Sequence, residues 1–152
     1  MDVALAVVSS IDGGKANEGW TVSERRERGV RMYASQFGLP ENEVEAFFTD
    51  HFGERMAEEA FNASGGSAWE DGPLSLRDRS LAVLAALTAL GGAEERMRPH
   101  VRWAIEHGAT PDEIDALVCL LAVYVGYARA SVAMQVVREE LAALEARPQP
   151  ES

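Results

Sequence analysis

Two long apolar stretches, each enclosed between a helix start signal and a glycine, constrain the fold more than any other feature of the chain. The first, LAVLAALTAL at 81–90, lies between Ser75 and a Gly-Gly pair. The second, ALVCLLAVYV at 116–125, lies between Thr110, with a proline and a glutamate in the following turn, and Gly126. Ser and Thr are favoured helix N-caps, and glycine commonly ends helices. The pattern therefore predicts two buried helices, and a strand is not expected at either place.

The rest of the chain also favours helices, and no segment shows the sustained alternation of a strand. We expect an all-α fold, a single-domain helical bundle of about six helices. The helical domain should span 21–146, between a poorly defined N-terminal segment at 1–20 and a loose tail at 147–152. The stretch NASGGSAWEDGP at 62–73 should be a loop. The other helices are expected from Thr21 or Ser23 to about Gln36, from Pro40 onward, over 52–63, up to His107 with Pro99 in the first turn or at a kink, and from about Ala128 to Ala146.

The charge balance of the chain is acidic. Fourteen Lys and Arg stand against 25 Asp and Glu, which gives a formal net charge of −11. Such a surface repels phosphate backbones and anionic lipids, so neither a nucleic acid nor a membrane is an expected partner. The first 14 residues carry an aspartate where a signal peptide has basic residues, and their apolar run is too short to span a bilayer. These features favour a cytoplasmic protein.

Four short motifs in the second half are characteristic when they are taken together. They are Arg79-Ser80-Leu81, His100-Val101-Arg102, Gly108-x-Thr110-x-x-Glu113-Ile114 and Tyr124-x-Gly126. In order and spacing they resemble the carboxymuconolactone decarboxylase family over roughly 69–141. The resemblance implies an all-helical, alkylhydroperoxidase-like subunit that assembles into trimers or hexamers and needs neither a metal nor an organic cofactor. Decarboxylases of this family convert a carboxylated unsaturated lactone to an enol-lactone, whereas the alkylhydroperoxidases use a Cys-x-x-Cys pair followed by a histidine.

The chain departs from the decarboxylase pattern on one helix. Ala116 and Leu120 stand where decarboxylases commonly have a glutamate and then a Gln or His, and Gly-Val-Pro after the tyrosine has become Gly-Tyr-Ala. Positions 116, 120 and 124 share a helix face, so this face has lost two polar groups. The departure favours a changed substrate that is bulkier or less polar, as in a biosynthetic tailoring pathway.

The only cysteine, Cys119, lies inside the second apolar stretch. Ala122 stands where a Cys-x-x-Cys pair would place the second thiol, which argues against a peroxidase. No basic residue lies within one helical turn to activate the thiol, so we expect Cys119 to pack in the core as a small apolar residue. Histidines at 51, 100 and 107 do not form a zinc-binding pattern, and no metal site is predicted.

His100 and Arg79 are the candidate catalytic residues. His100 lies beside a helical apolar stripe that includes Met97, Val101 and Ala104, and the family resemblance strengthens it as a proton-transfer group. Arg79 is a candidate buried guanidinium that would hold a substrate carboxylate in a bidentate pair. A histidine satisfied at an interface and a structural salt bridge explain the same two residues without catalysis.

Four further side chains are candidates for binding the substrate. Trp69, Trp103 and Tyr124 have the apolar bodies and polar edges that line ligand pockets, and Leu120 shares a helix face with Tyr124. The candidate residues, together with the family resemblance, predict a cofactor-independent decarboxylase or isomerase that acts on a small carboxylated or lactone-bearing molecule. The alternative is an oligomeric binding or scaffold protein that has kept the fold and lost the chemistry.

The two apolar stretches also bear on assembly. They leave few polar faces in a chain of 152 residues. Surplus apolar helix surface on a subunit of this size is normally covered by another subunit. We therefore expect a homo-oligomer whose pocket wall includes the helices that carry Arg79, His100 and Tyr124.

Overall fold

The computed structural model of the chain describes residues 20–69 and 72–146, and these residues are helical almost throughout. The described residues form two compact units, which meet in sequence between Pro73 and Leu74. In chain order the helices are α1 (Val22–Phe37), α2 (Glu41–Phe52), α3 (Glu54–Ala63), a π-helix (Ser64–Ala68), α4 (Leu76–Leu90), α5 (Glu94–Glu106), α6 (Pro111–Val125) and α7 (Tyr127–Glu145).

The first unit packs α1, α2, α3 and the π-helix around an aromatic core. Phe48 and Phe61 are almost completely buried, and the Tyr33 ring lies 4.5 Å from the Phe48 ring. The Tyr33 hydroxyl and the buried Ser64 hydroxyl lie 2.8 Å apart, so the polar end of Tyr33 is satisfied at the start of the π-helix. At the surface of this unit, Arg26 pairs with Glu58 and Glu45.

Helix α1 approaches α3 and the π-helix very closely at two glycines. A Cβ placed on Gly29 would lie 2.0 Å from the Phe61 carbonyl oxygen, and one on Gly65 would lie 1.7 Å from the Arg25 carbonyl oxygen. Neither position has room for a side chain, because the atoms in the way are backbone atoms. The glycines therefore set the spacing between these helices.

The second unit packs α4 against α5, α6 and α7, as its apolar sequence predicts. The completely buried side chains include Val101 and Ala104 on α5 and Ile114 on α6, and Leu84 on α4 is 1% exposed. The capping signals also act as expected. Thr110 Oγ1 accepts a hydrogen bond from the Glu113 amide at 3.2 Å, and the Glu113 carboxylate accepts one from the Thr110 amide at 2.9 Å.

The all-α prediction is confirmed, with some differences in detail. The described residues contain seven α-helices where about six were expected. Gly53, at φ +82°, separates α2 from α3, so α3 begins at Glu54 and not at residue 52. The predicted loop at 62–73 is helical in its first part, because α3 ends at Ala63 and the π-helix follows. Pro99 lies in the second turn of α5 and not in the first. The expectations for residues 1–19 and 147–152 lie outside the described residues.

The glycine contact yields a stability prediction. Replacing Gly by Ala in a helix normally stabilises it by roughly 0.5–1 kcal/mol. Because the new Cβ of Gly29→Ala would overlap the Phe61 carbonyl, we expect the opposite sign, a loss of about 1–3 kcal/mol in the free energy of unfolding measured with urea. Ser35→Ala, at an exposed position of the same helix, is the control and should change stability by less than about 0.5 kcal/mol. A Gly29→Ala protein as stable as the wild type would contradict this close contact.

Candidate active site

His100 lies at the edge of the second unit's core, as the sequence predicts. Its neighbours along α5, Met97, Val101 and Ala104, are buried, whereas the imidazole is partly buried. Its Nδ1 is buried and has no hydrogen-bond partner among the described residues. Burial lowers the pKa of His100 to about 4, so the imidazole is neutral at pH 7. The Nδ1 atom is therefore buried and uncharged, and no described residue satisfies its capacity for a hydrogen bond.

Trp103 is the aromatic neighbour of His100. The two ring centroids are 4.7 Å apart with the planes at 88°, an edge-to-face arrangement, and Trp103 is buried. This indole contributes to the apolar surroundings that keep the imidazole neutral. The structure therefore brings together two of the residues that the sequence singles out.

Arg79 is buried, with 7% of its surface exposed, in the first turns of α4. The next residue, Ser80, is completely buried, and its hydroxyl lies 2.7 Å from His107 Nδ1. His107 follows His100 by seven residues, or about two helical turns. The turn of α4 that carries Arg79 therefore packs near the carboxyl-terminal end of α5. The Ser80–His107 pair was not predicted, because nothing in the sequence pairs residues 27 positions apart.

Ionic contacts fix α5 against α7. Arg98 contacts Glu139 at 2.9 Å and Glu140 at 3.3 Å, and Arg102 contacts the second oxygen of Glu140 at 3.1 Å. Glu140 is itself buried. The two arginines lie on either side of His100 in sequence, so this pairing holds the rotation of α5 that places the imidazole at the edge of the core.

The structure corrects the expectation for Cys119. Its side chain is exposed, with the sulfur 3.8 Å from an Asp115 carboxylate oxygen. Helix α6 buries Ile114, Val118 and Ala122, and position 119 lies outside that stripe. The apolar run in the sequence conceals this difference, because residues on both faces of the helix are apolar.

Leu120 and Tyr124 lie on an exposed face of α6. Leu120 is 56% exposed and Tyr124 is 78% exposed, and Val123 on the same helix and Tyr127, the first residue of α7, are also exposed. We call these four residues the outer face. Trp69, the remaining candidate, lies just after the π-helix of the first unit and is partly buried.

Clefts are present in the described part of the second unit. One of about 190 Å³ lies among the end of α4 and the starts of α5 and α7, and one of about 220 Å³ lies between α6 and α7 beside Cys119 and Tyr127. Neither is lined by His100 or Arg79. Among residues 20–69 and 72–146, no three His, Cys, Asp or Glu side chains gather as ligands for a metal ion. None of the described helices is long and apolar enough to cross a membrane.

This geometry defines a class of protein. It is an all-helical unit with a neutral histidine at the edge of its core and a buried arginine on the neighbouring helix. The chain belongs to the carboxymuconolactone decarboxylase family, whose model matches residues 56–139. It is also 34% identical over 74 residues to the 4-carboxymuconolactone decarboxylase of Acinetobacter baylyi. That match covers 49% of this chain and 54% of the relative, so the chain spans about half the length of the curated relative it matches.

The state of His100 can be tested by titration. Its pKa in the folded protein lies below the value near 6.5 of an unperturbed imidazole, so the fold favours the neutral form. The free energy of unfolding should therefore fall as the pH drops from about 6.5 to about 4, and His100→Gln should remove this part of the loss. NMR titration of the His100 ring gives the pKa directly. A midpoint near 6.5 would contradict the proposed burial.

Proposed function

We propose that the protein is a cofactor-independent decarboxylase or isomerase that acts on a small carboxylated lactone or a related carboxylic acid. The observation that carries the proposal is the buried, unpartnered Nδ1 of His100 in a chain whose family includes such decarboxylases. The 34% identity to a 4-carboxymuconolactone decarboxylase supports the same reaction class.

The reaction requires one proton and one binding site for an anion. The bond between the substrate carbon and its carboxylate breaks, CO₂ leaves, and the electron pair passes into the unsaturated lactone as an enolate. The enolate carbon then takes one proton. His100 is the proposed donor, and it must first gain a proton from solvent because its pKa of about 4 leaves it neutral at pH 7. A bound carboxylate favours that gain, since a nearby negative charge raises the pKa of an imidazole.

Arg79 is the proposed anion-binding residue. It is buried, so water screens its charge weakly, and a guanidinium forms bidentate pairs with carboxylates. In a protein of net charge −11, an anionic substrate needs a local positive group of this kind. Trp103, Leu120 and Tyr124 are the proposed substrate contacts, with Leu120 and Tyr124 reaching the substrate from across a subunit contact.

The substrate should be less polar than that of the catabolic decarboxylases. Ala116 and Leu120 offer no hydrogen-bonding groups at two exposed positions of α6. A site lined by these residues favours an apolar substituent, because a polar one would lose its hydrogen bonds to water there. This supports a substrate that is a larger and more apolar carboxylic acid, as in a biosynthetic tailoring pathway.

Substitutions at both residues test the assignment, with 4-carboxymuconolactone as the first substrate and more apolar carboxylated lactones next. His100→Ala and Arg79→Ala should each lower kcat/KM by roughly 100-fold or more, the usual size of an acid–base or anion-binding contribution. His51→Ala, at an exposed histidine of the first unit, should have no effect. Because Arg79 is buried, circular dichroism must show that its variant folds, and Arg79→Lys provides a version that keeps the charge. Unchanged turnover in both alanine variants would refute the assignment.

We also propose that the protein is a homo-oligomer, a trimer or a hexamer, in which the outer face is covered. Leu120, Val123, Tyr124 and Tyr127 expose between 56% and 81% of their surfaces on neighbouring turns. An apolar patch of this kind is normally a contact surface.

Light scattering tests the assembly. The wild type should be larger than a monomer at micromolar concentration, and Val123→Asp should dissociate it, because a carboxylate cannot be buried there without a partner. Ala142→Asp adds the same charge at an exposed position near the end of α7 and should leave the assembly intact. A wild type that is a stable monomer would contradict the oligomer and the substrate contacts of Leu120 and Tyr124.

One observation favours the second candidate, an oligomeric binding or scaffold protein without catalysis. The clefts of about 190 Å³ and about 220 Å³ described above are lined by neither His100 nor Arg79. Binding of carboxylated lactones without turnover, unchanged by His100→Ala, would select this candidate.

A further inference from the structure

The cleft of about 190 Å³ among α4, α5 and α7 has the composition of a ligand site. An engineered cavity of about 150 Å³ with apolar walls takes up benzene, so this cleft has room for a single six-membered ring. Its apolar wall comes from Leu87 on α4, Met97 on α5, and Val132 and Ala133 on α7. Three different helices contribute to this wall.

Arg129 supplies a positive charge to this cleft. Its Nη1 donates a hydrogen bond to the Ala89 carbonyl at the end of α4, which is its one hydrogen bond to a described residue. The stem of Arg129 lies over Gly91, where a Cβ would stand 3.4 Å from Nε. The guanidinium is therefore held beside the cleft with most of its five N–H donors available.

Glu94 lies on the wall of the same cleft, in the first turn of α5. No ion pair joins it to another described residue. Its negative charge opposes a ligand with a second carboxylate, while Arg129 attracts the first. The cleft thus has room for one ring, a cation that attracts one carboxylate, and an anion that repels a second carboxylate.

We propose that this cleft binds a small monocarboxylate with a single apolar ring, with the carboxylate on Arg129 and the ring against Met97 and Val132. Because His100 and Arg79 do not line it, the site is separate from the proposed catalytic pair. The two proposals can therefore succeed or fail independently.

Three probe molecules test the site: benzoate, the neutral benzyl alcohol and the dicarboxylate phthalate. The protein is labelled with ¹³C at its methionine methyl groups. Benzoate should shift the Met97 signal saturably and leave that of Met56, an exposed methionine of the first unit, unchanged. Benzoate should bind at least ten-fold more tightly than either benzyl alcohol or phthalate. No saturable Met97 shift, or equal affinity for all three, would overturn the proposal.

Matched variants test whether Arg129 is the residue that contacts the carboxylate of the ligand. Arg129→Gln should remove the advantage of benzoate over benzyl alcohol, whereas Arg138→Gln, which removes an exposed arginine of the same helix that pairs with Asp115, should keep it. Ala128→Leu, at an exposed position on the cleft wall, should weaken all three probes by filling the space. If Arg129→Gln and Arg138→Gln gave the same affinities as the wild type, Arg129 would not be the carboxylate contact.

Discussion

The packing of α5 is the constraint on which the rest of the second unit depends. One side of this helix buries Met97, Val101 and Ala104, and Arg98 and Arg102 tie another side to Glu140 on α7. Apolar burial alone allows a helix to rotate slightly about its axis. Two arginines that share one carboxylate restrict this rotation, because charge-assisted hydrogen bonds are directional. The position of His100 follows from these contacts, since residue 100 falls between the buried stripe and the surface.

That position determines the chemistry of the histidine. A half-buried imidazole beside an indole edge loses the hydration that would stabilise its charged form, and its pKa falls to about 4. The uncharged ring is a poor acid until an anion arrives, so in the proposed mechanism binding and protonation are coupled. An acidic protein gains selectivity from this arrangement, because its net negative charge repels anions that do not meet a local positive group such as the buried Arg79.

Much of this fold is readable in the sequence because the signals are local. Thr110 with Glu113, Ser75 and the glycines that end α1, α2, α4 and α6 define boundaries within a few residues. The features that could not be predicted depend on contacts between residues that are far apart in the sequence. Cys119 was assigned to the core because α6 is apolar on both faces, and only packing against α4 and α7 decides which face is buried. The Ser80–His107 bond and the Glu140 pairing likewise join residues on different helices.

The coupling between anion binding and the protonation of His100 is the central claim. The most direct measurement is the pKa of the His100 ring by NMR in the presence of a saturating, unreactive saturated lactone carboxylate. We expect the ligand to raise this pKa by at least one unit above its value of about 4 in the free protein. Arg79→Ala should remove the response at the same ligand concentration. A His100 pKa that stays at its free value while the ligand is bound would refute the coupling.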